Sequence, residues 1–315
     1  MSSSPEAPST GAPTDTEPIK AIPVRHYGRW VAGVIILFLA FIVARSVITN
    51  DALQWPVVGD YLFDDRILRG LQNTLILTVI SMIIGIVGGI LLAVMRLSPN
   101  PLMSGAAGIY IWLFRGTPLI TQLIIWNFLG LAYSSIGFGI PFGPTFFAWN
   151  TNALITPFIA SLLGLGLNEA AYMAEIVRGG IQSVDSGQLE AASALGMKRT
   201  TTLRRIILPQ AMRVIIPPTG NETISMLKTT SLVVVIGYFE LMVAAQTIYS
   251  QNYKTVPLLI TAASWYLFMT SILTVIQFYI EKYFSRGTSR SVATRTRWAS
   301  RMLGFRFGSG GGNLR

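Results

Sequence analysis

Glu169 and Lys228 are ionisable side chains set deep in long apolar runs. Glu169 precedes Arg178, the basic residue closing its run, by nine positions. At about 1.5 Å per helical residue that is about 13 Å, close to the middle of a hydrocarbon layer about 30 Å thick. A charge there costs about 2.5–3.5 kcal/mol on insertion scales, so it is kept where it meets a partner or lines a watery path. Asn168 adjoins Glu169, and Tyr172 shares its helical side. The run around Lys228 adds Asn221, Glu222, Ser225, Thr229, Thr230 and Ser231, with Asn221, Ser225 and Lys228 on one face. Polar, interrupted segments near the midplane are how membrane proteins build a site for a solute in transit. The same groups could instead hydrogen-bond helices to one another, and a direct Glu169–Lys228 salt bridge would brace the bundle without touching a solute. Glu175 lies about one turn from the boundary that Arg178 marks and reads as the salt-bridge partner of a nearby Arg or Lys. For catalysis the chain offers little. It has no cysteine, one histidine (His26) and no G-x-x-x-x-G-K-[ST] phosphate loop.

The elements that must hold these groups are membrane helices. Of 315 residues, 51% are hydrophobic and 12% charged, with mean hydropathy +0.54; a soluble domain carries about twice that charge. Apolar segments of spanning length fall at about Trp30–Thr49, Leu71–Met95, Ala106–Tyr133, Ala153–Val177, within Pro209–Gln246, and at Val256–Phe284. The net charge of +10 does not point to nucleic acid, because the basic residues sit at the ends of these segments. Their placement sets the orientation. Lys20, Arg25 and Arg29 put the N-terminus inside, and Asp51, Asp60, Asp64 and Asp65 mark an outer loop. Arg96 returns the chain inside, the uncharged loop around Ser134–Asn152 is outside, and Arg178 to Arg213 are inside. Seven arginines after Lys282 place the C-terminus inside. Residues 1–25, rich in Pro, Ser and Thr, cannot build a core and are expected to be disordered; 286–315 form a basic tail. The first span, apolar all round, reads as an accessory helix on the lipid-facing perimeter.

Odd parity between the inner loop and the last span makes Pro209–Gln246 one crossing with breaks, expected at Pro217-Pro218 and at Lys228–Ser231. A further break is expected at Arg115-Gly116-Thr117-Pro118, with Thr117 capping and Pro118 opening the next helix. Gly85, Gly88 and Gly89 permit close helix packing. On the inner loop, Glu190-Ala191-Ala192, Gly196 and Ile206-x-Leu208-Pro209 describe a short helix, Glu190–Leu203, flat on the membrane surface. Its alanines would let another protein approach closely, Gly196 would let the backbone turn, and Pro209 would open the following helix.

That stretch matches the docking-loop pattern of ABC-transporter permeases, E-A-A, three residues, G, nine residues, I-x-L-P. Thr74-Leu75, Gly85–Arg96, Phe114–Leu119, Ala171–Ile181, Gly187-Gln188, Leu208–Ala211 and Asn221–Leu232 resemble the polar amino-acid permeases of the histidine/glutamine/glutamate type. The resemblance covers about Leu68 to Phe284. It implies an all-α type I importer core of five transmembrane helices at 68–285, here preceded by an extra span within 26–67. It also implies a coupling helix at about 188–205, with Gln188, Glu190, Ala191, Ala192, Gly196 and Arg199 meeting an ATPase. The implied partners are an ATPase dimer holding ATP and Mg2+, a second permease subunit and an external amino-acid-binding protein, all at the cytoplasmic membrane of a prokaryote. The substrate would lie among Asn168, Glu169, Tyr172, Asn221, Lys228, Thr229, Thr230 and Ser231, its ammonium at Glu169 and its carboxylate at Lys228 or at exposed helix-end amides. Thr229 departs from the family, where many members have Asp. A secondary transporter or a non-transporting membrane subunit are the alternatives, and both leave the docking pattern unexplained.

Overall fold

The computed structural model describes residues 27–140 and 145–284. The disordered stretch expected at 1–25, His26 and the basic tail 286–315 lie outside the described residues. Residues before Gln54 form a unit of their own. In it α1 (Tyr27–Ile48) has 22 residues and no ionisable side chain from Trp30 to Ala44, enough to cross a hydrocarbon layer.

The second unit opens with α2 (Trp55–Leu62) and then α3 (Asp65–Arg96), the helix around which the bundle is built. Asp64 caps α3 by accepting from the Arg66 amide at 2.9 Å. The Arg66 guanidinium, bonded to the same carboxylate, holds Asp64 below the usual carboxylate range. Apolar layers follow one another along α3. Ile67 and Leu71 pack with Leu241, Ile248 and Leu258; Leu77 and Met82 with Leu123, Leu165 and Val233; Ala93 with Met173, Val177 and Ile215.

The remaining elements are α4 (Pro101–Gly116), α5 (Leu119–Asn127), α6 (Leu129–Ala132), strands β1 (Ser135–Gly139) and β2 (Thr145–Asn150), α7 (Thr151–Leu154), α8 (Pro157–Gln182), α9 (Ser186–Ala194), α10 (Arg199–Thr202), α11 (Leu208–Thr229), α12 (Leu241–Asn252) and α13 (Thr255–Phe284). Length and apolar composition mark α1, α3 and α13 as spans, and the bent pairs α4/α5 and α11/α12 bring that to five. The 26 residues of α8 are also long enough to cross, with Glu169, Glu175 and Arg178 among them.

Glycines set the α3–α8 distance. A Cβ on Gly88 would stand 2.9 Å from the Ala170 Cβ, and one on Gly89 would reach 3.0 Å from the Ala174 amide nitrogen. Overpacking of this kind costs about 1–3 kcal/mol. Gly89→Ala should therefore lower the melting temperature of the purified protein. Gly105→Ala, where a Cβ meets nothing within 4 Å, should stay closer to wild type; equal melting of the two variants would contradict the packing account.

The breaks differ in detail from the sequence reading. At Gly116–Pro118 the chain does turn, with α4 and α5 at 101°. Thr117 finishes α4 rather than capping α5: its hydroxyl donates to the Leu113 carbonyl at 2.8 Å. No break occurs at Pro217-Pro218, because α11 runs through both prolines. Close by, Gln277 Nε2 donates to the Pro217 carbonyl at 3.3 Å and the Thr219 hydroxyl to the Ile215 carbonyl at 2.8 Å. The break at Lys228–Ser231 is a change of helix type: a 3-10 stretch covers Thr230–Ile236 and ends at Gly237, φ 72°.

The inner loop is not one helix. α9 ends at Ala194, Gly196 takes φ 68°, and α10 starts at Arg199. Pro209 stands in the first turn of α11, as expected, but α11 is continuous with what precedes it. α10 widens into a π turn, Leu203–Ile207, and continues as α11; proline lacks a donor and crowds the carbonyl four residues back, and a π turn ahead of it relieves both. The stretch read as an uncharged loop is a β-hairpin followed by α7.

Candidate functional site

The turn between α4 and α5 sits against α8, and one carbonyl organises it. The Phe114 oxygen accepts from Asn168 Nδ2 at 2.8 Å and from Gln122 Nε2 at 2.9 Å. Gln122 Oε1 accepts from Asn168 at 3.2 Å, and Gln122 Nε2 also donates to the Thr117 hydroxyl at 2.8 Å. Gln122 is 7% exposed, so this pair replaces the backbone bonds that the turn removes, as buried carbonyls require. Asn168 is thereby committed to holding the turn. Gln122 escaped the sequence reading because one amide in an apolar run gives no spacing signal.

The turn presents Arg115. Its guanidinium carbon lies 5.1 Å from the centre of the Tyr172 ring, a cation–π geometry. Its charge also acts on Glu222 of α11 and on Glu175 of α8. Glu175 bonds Arg178 at 2.6 Å, a salt bridge to a nearby base as expected.

Glu169 is 5% exposed, and its Oε1 has no hydrogen-bond partner among the described residues. It packs over Gly85 of α3, where a Cβ would collide with its Cγ. No ion pair joins it to Lys228 among the described residues; the charged side chain acting on it through space is Glu222. Lys228 lies with Asn221 and Ser225 on an exposed face of α11. Asn221 Oδ1 accepts from Gln277 of α13 at 2.9 Å. The hydroxyls of Thr229, Thr230 and Ser231 donate back to the Ser225, Leu227 and Lys228 carbonyls at 2.9, 2.7 and 2.7 Å, finishing α11 at its change of helix type. One chain thus brings Asn168, Glu169, Tyr172, Arg115 and Glu222 into one region, with Lys228 on a separate exposed face.

Glu240 is a second buried carboxylate, at 0% exposure. It caps α12, accepting from the Val243 amide at 2.9 Å, and takes the Tyr266 hydroxyl at 2.8 Å and the Thr74 hydroxyl at 3.4 Å. Thr74 in turn accepts from the Leu241 amide at 3.1 Å, and Asn73 donates to the Phe239 carbonyl at 2.8 Å. These bonds tie α3, α12 and α13 where the broken crossing ends. Leaving buried donors unmatched costs about 1–3 kcal/mol. Glu240→Leu should therefore lower the melting temperature several degrees and Tyr266→Phe less; equal, negligible shifts in thermal unfolding would contradict this.

On the inner loop, Gln188, Glu190, Ala191 and Ala192 lie on α9, Gly196 in the turn and Arg199 on α10. Asp185 caps α9, accepting from the Gly187 amide at 2.7 Å. Gln188 Oε1 accepts from Gln210 of α11 at 2.5 Å, fixing α9 to the next span. Glu190 is exposed, as are Ala191 and Leu195, so this segment offers a surface.

An interrupted helical bundle with charged groups inside its apolar segments and an exposed helical loop at one end is a membrane permease. Residues 85–289 match the family described as the binding-protein-dependent transport system inner membrane component. An arginine transport system permease protein of Corynebacterium glutamicum is 52% identical over 281 residues, 89% of this chain and 87% of that one. A nopaline transport system permease protein of Agrobacterium fabrum is 38% identical over 208 residues, 66% of this chain and 83% of the relative. Among solved structures, an amino acid ABC transporter crystallised with histidines is 35% identical, with TM-score 0.61, covering 69% of this chain and 94% of that one. The chain belongs to the binding-protein-dependent transport system inner membrane components, and within them it is a permease subunit of the polar amino-acid ABC importers. The match to the C. glutamicum permease is too long to omit the whole stretch before residue 68, so that relative shares part of what precedes the core.

Proposed function

We propose that this permease imports a cationic amino acid, arginine first among them, through a path that passes Glu169. The observation that carries the reading is the buried Glu169 carboxylate, with an oxygen free of protein donors and a second carboxylate, Glu222, acting on it. Two acids in an apolar interior are costly unless a cation joins them. A guanidinium or ammonium supplies that cation with several donors. Arg115, held over Tyr172, is placed to meet a carboxylate. The printed name of the C. glutamicum relative supports the choice of arginine. Lys228 and Asn221 on the exposed face of α11, with the partly buried Thr229 and Ser231 at its end, would complete the path across from a second permease, identical or related; Thr230, fully buried and bonded to the Leu227 carbonyl, would only support it.

In this reading the chain itself does no ATP hydrolysis. Two cytoplasmic ATPases holding ATP and Mg2+ seat α9, the Gly196 turn and α10 in a groove, and an external binding protein delivers the amino acid. Both termini face the cytoplasm, consistent with the basic residues flanking the spans. The region 26–67 is an accessory span with its outer loop, and 68–285 is the transporting core. Competition uptake tests the cargo: with its binding protein and ATPase in proteoliposomes, labelled arginine uptake should be displaced by unlabelled arginine or lysine and hardly by glutamate. Displacement by glutamate as strong as by arginine would overturn the cationic preference.

A further inference from the structure

Residues 134–152 contain no Lys, Arg, Asp or Glu. The described ones, 134–140 and 145–152, precede α8, at its end opposite to the exposed helical loop. β1 and β2 pair antiparallel, with Ile136 opposite Trp149, Gly137 opposite Ala148 and Phe138 opposite Phe147. Side chains alternate along a strand, so in the regular pairs one face of the hairpin holds Ile136, Phe138, Phe147 and Trp149 and the other Gly137 and Ala148; the register shifts between Phe138 and Gly139, beside Phe146, which is 57% exposed. Phe138, Phe147 and Trp149 are 73, 66 and 55% exposed, and the Phe147 and Trp149 rings stack at 6.2 Å. The stem fixes this face. The Thr151 amide donates to the Ser134 carbonyl at 3.1 Å, and Asn150 caps α7 through the Asn152 amide at 2.9 Å.

We propose that the aromatic face of this hairpin lies in the interfacial layer of the bilayer and anchors that end of the bundle to lipid. Three observations select lipid over a soluble partner. The face is apolar and aromatic: Trp149 favours the headgroup boundary, and Phe138, Phe147 and Ile136 favour the hydrocarbon beside it. The segment lacks the charges that give a soluble protein's docking surface its steering and register. Exposed apolar residues continue from the span before it, Phe128, Leu131 and Tyr133, to Leu154 after it, so the lipid-facing surface runs on into the hairpin. Gly137 and Ala148, the pair without a large side chain, turn away from that face. Which leaflet is involved follows the orientation proposed above; contact with lipid does not.

The chain has no cysteine, so one introduced cysteine takes a spin label uniquely. Phe138→Cys and Ala148→Cys, in the full chain in nanodiscs of phosphatidylcholine and phosphatidylglycerol, compare the two faces. The label at position 138 should collide with oxygen several-fold more than with a water-soluble nickel chelate, and the label at 148 should show the reverse. Phe147→Cys repeats the first measurement if Phe138→Cys inserts poorly, and retained ATP-driven uptake reports correct folding separately from lipid contact. Labels on both faces equally open to the nickel chelate would overturn the proposal. So would a label at 138 that becomes shielded only when the external binding protein is added, which would make the face a protein-docking surface.

Discussion

Glu169→Gln should abolish ATP-driven uptake while the permease still inserts, assembles with its ATPase and binds the loaded receptor. The substitution keeps volume and hydrogen-bonding atoms, so the fit over Gly85 survives. It removes the charge, and with it the attraction that a cation in the path would feel. A buried charge-assisted contact of this sort is worth about 1.5–3 kcal/mol, and loss at a step every substrate molecule must pass should cut uptake at least about tenfold. A brace predicts otherwise: it would show as lost thermal stability with kinetics unchanged. Transport at the wild-type rate in Glu169→Gln would therefore remove Glu169 from the path. Glu222→Gln should weaken uptake less, since Glu222 is half-buried and close enough to Arg115 to be influenced by it.

The other large effect is expected at Gly196. Its φ of 68° lies in the left-handed region, which side chains other than glycine and asparagine rarely adopt. Its amide donates to the Ser193 carbonyl at 3.0 Å, and the Met197 amide to the Ala192 carbonyl at 3.0 Å, the paired bonds that end a helix at glycine. A Cβ at Gly196 would touch nothing within 4 Å, so the constraint is purely one of backbone. Gly196→Pro removes the donor and imposes a φ near about −65°, redirecting α10 relative to α9. Uptake should fall to background while the ATPase keeps hydrolysing, which is uncoupling. Gly196→Asn, which tolerates the left-handed region, should retain much of the activity. Coupled, normal uptake in Gly196→Pro would show that the turn does not transmit the ATPase's motion.

These two sites mark how far the residues alone could lead. The helices were legible because an apolar run is a direct statement about lipid, and the bend at Arg115–Pro118 because glycine and proline punctuate it. Glu175 was legible as the partner of a nearby base because it lies about one turn from the basic boundary, and Arg178 is the base it meets. Gln122, Gln277 and Glu240 were not, because each acts on a residue far away in sequence, and only tertiary packing shows the carbonyl or hydroxyl it serves. The prolines at 217 and 218 misled because a proline can be carried through a helix packed in a bundle, and spacing alone does not show whether it is. Lys228 is a different case. Sequence depth places it near Glu169, but it lies on an exposed face of α11 and forms no ion pair with Glu169 among the described residues.

The central claim is that this chain is a conduit powered from outside itself, and reconstituted uptake tests it most directly. Purified permease, its ATPase and its binding protein in proteoliposomes should accumulate labelled arginine only with ATP present, and accumulation should vanish when the ATPase is omitted or when α9 carries Ala191→Arg on its exposed side. Arginine accumulation driven by a proton or sodium gradient, without the ATPase, would contradict the account.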